Sequence, residues 1–136
     1  MDLTLHSHRE RTIDACAVLE LFAVERWWPE RTPEGMARAI AGGPAVAAWS
    51  SDRVVGFARL LTDGVYRAYV EDVIVDRRFR RHGVAGAVVG ALLEPLPDGV
   101  VVSLFCAPSL EPVYAGIGFS ATKQTVMHRV QGLPST

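Results

Sequence analysis

The chain has 136 residues, with 14 basic and 15 acidic side chains, a formal net charge of −1, 49% hydrophobic and 21% charged residues. These values fit one globular domain spanning 1–136, long enough to bury a core without disulfide or metal staples. The near balance of charge excludes a protein whose main task is gripping an extended polyanion, so neither nucleic acid nor a membrane surface is an expected partner.

In chain order, Leu3 to Ser7 reads as a short strand. Thr12 to Trp28 follows with apolar positions at Ile13, Cys16, Ala17, Leu19, Leu21, Phe22 and Val24, the pattern of an amphipathic helix, which Pro29 stops. Thr32 is an N-cap candidate with Pro33 at the first helical position and Glu34 in the first turn, and the predicted helix runs to Gly42-Gly43. The period then changes. Ala45 to Trp49, Val54 to Leu61 and Tyr66 to Val75 read as three strands joined by tight turns, an antiparallel meander. The third is apolar on both parities except for Glu71 and Asp72, which predicts a central strand covered on both faces.

A basic run from Asp76 to Arg81 leads into a Gly-punctuated helix, Gly83 to Leu93; a break at Pro95 to Gly99 and a buried strand, Val100 to Cys106, complete a βαβ unit. A short helix near Ser109 to Ala115, a turn through Gly118-Phe119 and a last strand, Thr125 to Val130, close the chain. The predicted fold class is mixed α/β in the order βααβββαβαβ.

Cys16 and Cys106 lie in apolar surroundings without Cys-x-x-Cys spacing, so two reduced, buried thiols are expected. The N-terminus has no basic region followed by an apolar stretch, and no uncharged run approaches the ~20 residues that span a bilayer, so the expected location is the cytoplasm. His6, His8, His82 and His128 lack metal-ligand spacing, and no metal is expected.

The chemically informative segment is Arg80-Arg81-His82-Gly83-Val84-Ala85-Gly86, where a buried strand hands over to a helix. The first amides of a helix have no intrahelical partner and carry the positive end of its dipole, so small residues there leave room for a phosphate. Arg80 and Arg81 add charge-assisted donors, whereas Arg77 and Arg78 read as solvated. Neither a Walker A loop nor a dinucleotide fingerprint is present. Read alone, the same residues also fit glycines used for packing and a solvated arginine face.

Arg80-x-x-Gly83-x-Ala85 after the strand Glu71-Asp72-Val73-Ile74-Val75 resembles the Arg/Gln-x-x-Gly-x-Gly/Ala signature of the GNAT superfamily of acetyl-CoA-dependent N-acetyltransferases. Tyr114-Ala115-Gly116-Ile117-Gly118-Phe119 is similar to the Tyr-x-x-x-Gly-Phe ending of that family, and Val55-Gly56-Phe57-Ala58-Arg59 to its meander. The resemblance implies that the pyrophosphate of acetyl-CoA is held by Arg80, Arg81, His82, Gly83, Val84, Ala85 and Gly86. It implies that the pantetheine arm pairs with the backbone around Val73, Ile74 and Val75. The chain departs from the family at Cys106-Ala107-Pro108, where an Asn is common, and at Ala85, an accepted variant of the second Gly.

Acetyl transfer from a thioester to an amine requires a neutral amine, a polarised carbonyl and a proton for the departing thiolate. A carboxylate in a covered strand gains basicity by desolvation, which makes Glu71 and Asp72 the candidate bases. Alternating side chains put them on opposite faces, and the match to polyamine acetyltransferases of the superfamily favours Glu71, leaving Asp72 as an acceptor-binding or structural carboxylate. The resemblance makes Tyr114 the proton donor to sulfur, and a central-strand amide near Val75 the group that polarises the carbonyl. Trp27, Trp28 and Arg31 fall where relatives wall the acceptor pocket, and they fit core or interface anchoring equally well. The implied activity is direct transfer from acetyl-CoA to a primary amine of a small molecule or peptide, in a protein expected as a homodimer; the alternative is a non-catalytic acyl-CoA-binding module.

Overall fold

The computed structural model describes residues 2–133, which fall into two compact units divided after Cys106. The first unit is built on a five-stranded sheet whose strands lie in chain order: β1 (Leu3–Ser7), β2 (Ala45–Ser50), β3 (Arg53–Thr62), β4 (Arg67–Val75) and β5 (Val101–Ser103). The first four pair antiparallel and β5 joins β4 in parallel, so the predicted meander and βαβ unit are both present.

Helix α1 (Ala15–Glu25) starts three residues later than its apolar pattern, because Asp14 accepts a hydrogen bond from the Cys16 amide and acts as its N-cap. It also ends before Pro29. Arg26 turns left-handed at φ 59°, and the Trp27 amide donates back to the Phe22 carbonyl at 3.0 Å, which closes the helix on itself. Helix α2 (Pro33–Ala41) is capped by the Thr32 hydroxyl, which accepts from the Gly35 amide at 3.0 Å. Val18, Leu21 and Phe22 of α1 and Met36 and Ile40 of α2 bury one face of the sheet together with Ala45, Ala47, Trp49, Phe57 and Ile74. Packing of this kind supplies most of the helical stability, since helices this short are marginal alone.

Helix α3 (Val84–Leu93) buries Val84, Val88, Val89 and Leu92. A Cβ placed on Gly56 of β3 would stand 3.0 Å from Cγ1 of Val84 and 3.6 Å from Cγ2 of Val88, so α3 rests on the sheet where β3 has no side chain. Close packing was expected from the glycines of the helix itself, but a Cβ at Gly90 would meet nothing within 4 Å. On the strand side, the missing side chain of Gly56 is what lets α3 approach. Gly56→Leu is expected to lower unfolding free energy by about 1–3 kcal/mol through overpacking, read by urea denaturation.

Strand β5 covers only Val101–Ser103 of the predicted Val100 to Cys106, because it pairs with β4 only over Arg67–Tyr69. The second unit holds a 3-10 turn, Pro108–Leu110, and a five-residue helix α4 (Glu111–Ala115). The predicted last strand, Thr125 to Val130, is not formed: those residues are exposed and join no ladder among the described residues, and β-propensity alone does not make a strand. The thiols also differ from expectation. Both are free, but Cys16 lies exposed on α1 and Cys106 is partly exposed rather than buried. Among the described residues no helix is long and apolar enough to cross a membrane.

Candidate functional site

The site grows from one irregularity in β4. Glu71 pairs with Arg59 and Ile74 with Phe57, so β4 carries one residue more than β3 between these pairs. That extra residue is Asp72, held left-handed at φ 61°, and it forms a β-bulge. The bulge cancels the alternation from which opposite faces were expected for the two acids. Glu71 sits across from Arg59, the Asp72 amide donates to Oε1 of Glu71 at 3.2 Å, and the Asp72 carboxylate reaches the same Arg59 side chain.

Asp72 is fully enclosed, and its Oδ2 accepts from Nε of Arg59 at 2.7 Å and from Nη1 of Arg31 at 2.8 Å. Asp72 and Arg31, both expected to touch the acceptor, are thus engaged with each other. The Asp72 Oδ1 is buried without a partner. Arg31 also stacks on Trp28, its guanidinium carbon 4.7 Å from the ring centroid, so the expected indole surface is already occupied on that side by a cation of the chain. Trp27 lies 6.1 Å from the Phe22 ring, and both indoles keep more than a third of their surface exposed.

Tyr69 joins this face and was not anticipated, although the signal existed: residues two apart on a strand share a face, which places Tyr69 beside Glu71. Burial, followed by the charge of Glu71 and a hydrogen bond to it, pushes the Tyr69 phenol up to about 12, so it stays a protonated donor. Its ring packs against Phe105 at 5.0 Å. Arg59, equally unanticipated, is recoverable only through the register of β3 on β4.

Beyond Tyr69 the outer edge of β4 has no strand partner among the described residues. The Asp76 amide donates to the Val55 carbonyl, so alternation turns the backbone groups of Ile74 toward β3 and those of Val73 and Val75 away from it. Of the three residues expected to offer backbone to a ligand, Ile74 is therefore committed to the sheet, with its side chain in the core. Val73 and Val75 line the open edge.

That edge runs into a 3-10 turn, Arg77–Phe79, and then into Arg81 and Gly83, both left-handed at φ 66° and 74°. Gly83 is the N-cap of α3, no side chain caps the helix, and a Cβ there would meet nothing within 4 Å. The start of α3 is thus uncapped by any side chain and lies beside exposed Arg81 and His82, an arrangement that fits a pyrophosphate. Ala85 and Gly86 are half-buried in the first turn.

Arg80, expected to serve that anion, is held elsewhere: Nη2 lies 3.0 Å from Oε1 of Glu25, and Nε donates to the Val75 carbonyl at 3.2 Å. Arg77 donates from Nε to Oε2 of the same Glu25 at 2.7 Å. These contacts, the Arg80 hydrogen bond foremost, hold the Glu25 carboxyl below its usual range. Arg78 does the same for Asp76. Tyr114 lies in the second unit, buried on α4, with its ring edge-on to Phe119 at 6.0 Å.

Comparison with known proteins agrees with this geometry. The family model described as an acetyltransferase (GNAT) domain matches residues 12–133. A rice protein, serotonin N-acetyltransferase 2, chloroplastic, is 32% identical over 115 residues, covering 79% of this chain and 57% of that protein. Other sequence relatives are covered over 35% to 49% of their length, so the chain spans about half of the relatives it matches. A GNAT-family acetyltransferase from Streptococcus pneumoniae superposes with a TM-score of 0.80 at 21% identity, covering 97% of this chain and 100% of that one. Glucosamine-6-phosphate N-acetyltransferase from Arabidopsis thaliana gives a TM-score of 0.74 at 17% identity, covering 96% and 99%. At these identities the structural likeness speaks for the fold alone, while the family match covers most of the sequence. With the bulge of β4, the open edge that follows it and the uncapped start of α3 in that order along the chain, and with the family match over residues 12–133, the chain belongs to the GNAT acetyltransferase family.

Proposed function

We propose that the protein transfers the acetyl group of acetyl-CoA to a primary amine by direct attack within a ternary complex. The observation that carries this reading is the run of an open β4 edge into the uncapped start of α3. In this proposal the amides of Val84, Ala85 and Gly86, with Arg81 and His82, bind the pyrophosphate. Val73 and Val75 pair with the pantetheine arm, and the Val75 amide polarises the thioester carbonyl.

Glu71 takes the proton of the attacking amine, and the Tyr69 phenol holds its carboxylate in place by a hydrogen bond. The amine nitrogen forms a bond to the carbonyl carbon, the carbon–sulfur bond breaks, and the thiolate takes a proton from Tyr114. Solvent then returns the proton from Glu71 to the tyrosine, leaving an amide and free CoA. Trp27 and Trp28 provide the acceptor wall. The acceptor is a small-molecule or peptide amine, and the rice relative makes arylalkylamines the first class to assay. The expected assembly is a homodimer and the expected location the cytoplasm.

Calorimetric titration with CoA, followed by thiol-release assays across arylalkylamines, polyamines, aminoglycosides and peptide amines, tests the reading. Absence of CoA binding at submillimolar concentration overturns it, and binding without thiol release for any amine favours a non-catalytic module. Glu71→Gln is expected to lower kcat roughly 100-fold, most at low pH, with the KM for acetyl-CoA unchanged. An unchanged kcat would remove Glu71 as the base.

A further inference from the structure

Glu25 is the last residue of α1 and lies far in sequence from the signature turn, yet it gathers that turn's arginines. Its two oxygens are used separately: Oε2 accepts from Nε of Arg77 at 2.7 Å, and Oε1 lies 3.0 Å from Nη2 of Arg80. Arg77 adds a bond from Nη2 to the Val24 carbonyl at 3.4 Å, and Arg80 one from Nε to the Val75 carbonyl at 3.2 Å. The Glu25 side chain is 14% exposed while those of Arg77 and Arg80 are 61% and 44% exposed, so the carboxylate lies beneath and the guanidiniums reach down to it.

Arg80 spans from the end of α1 to the last carbonyl of β4, and the residues after it, Arg81 and Gly83, are both left-handed. A left-handed arginine is disfavoured by contact of its Cβ with the backbone and persists only where its surroundings hold it. The Glu25 contacts tie down the chain just before that conformation and so fix the direction in which the α3 amides point.

We infer that Glu25 is a positioning residue for the pyrophosphate-binding turn, acting through Arg80 rather than touching the ligand. The inference rests on the proposed acetyl-CoA site and assigns Arg80 a structural duty within it. It also opposes the reading in which Glu25 is an internal anion that competes with pyrophosphate for Arg80. The two differ in sign: loss of a positioning carboxylate weakens CoA binding, and loss of a competitor tightens it.

The test titrates CoA and pantetheine, which lacks the pyrophosphate, into the 136-residue chain by chemical-shift perturbation. Glu25→Gln is expected to raise the Kd for CoA about tenfold, the effect of losing charge-assisted hydrogen bonds at a partly exposed site, and to leave the Kd for pantetheine unchanged. Arg80→Gln is expected to do the same, and the double variant to bind CoA no worse than Arg80→Gln alone. Thermal melts of each variant confirm that it is folded. Unchanged or tighter CoA binding by Glu25→Gln, equal loss for both ligands, or additive losses in the double variant would overturn the inference while wild-type binding upholds the acetyl-CoA site. Failure of the wild-type protein to bind CoA would overturn both.

Discussion

Gly83→Asp is expected to abolish measurable CoA binding while leaving the fold within about 1 kcal/mol of wild type. The separation follows from the local geometry. Gly83 is left-handed at φ 74°, a region that Asp enters more readily than most residues, and its Cβ would meet no atom within 4 Å. A carboxylate at a helix N-terminus is also favourable toward the dipole, which offsets part of the backbone cost. The same carboxylate stands where the proposed pyrophosphate would sit. Two unit charges about 4 Å apart repel by about 4 kcal/mol at an effective dielectric near 20, roughly a thousandfold in Kd. Gly83→Ala carries the backbone strain without the charge and is expected to retain most of the affinity. Calorimetry reads the binding and urea unfolding the stability; wild-type affinity in Gly83→Asp would remove the anion site from this turn.

Asp72→Ala is expected to produce the largest loss of stability at any charged position, about 2–4 kcal/mol. Its carboxylate is fully enclosed and accepts from two guanidiniums, so truncation leaves Arg31 and Arg59 with no common counterion. The range is set below that of a wholly buried pair because these arginines keep 24% and 13% of their side-chain exposure and regain some hydration. Part of the loss is conformational, since alanine is poorly suited to φ 61°. Asp72→Gly, which loses the carboxylate but accepts the dihedral, is therefore expected to be about 1 kcal/mol more stable than Asp72→Ala. Denaturant midpoints for the two variants separate charge from strain, and equal midpoints would show that the bulge stores no strain.

Local chemistry made much of the fold legible. Thr32-Pro33-Glu34 announces the start of α2, tight turns between alternating segments announce the meander, and a glycine-rich helix after a basic run marks the start of α3. Features that depend on the partner strand were not legible. The bulge at Asp72 is a mismatch in length between β3 and β4, and no pattern within β4 alone encodes it. Arg80 is equally ambiguous, because a guanidinium beside a phosphate-binding turn and one tied to Glu25 look the same until α1 is placed. The segment around Thr125 to Val130 shows the opposite failure: its composition favours a strand, but it joins no ladder among the described residues.

The bulge has one further effect, a change of phase along a single strand. Before it, the odd-numbered Tyr69 and Glu71 share the face of Arg59; after it, the even-numbered Ile74 enters the core with Phe57, while Val75 lies across from Gly56 on the side of α3. One inserted residue thus divides β4 into two halves that read the sheet in different frames. The first half presents polar side chains to one face, and the second presents small apolar side chains to the other and its backbone to the open edge. Removing that residue would bring the two halves into one frame, so a deletion at this position would exchange the faces of every residue on one side of it.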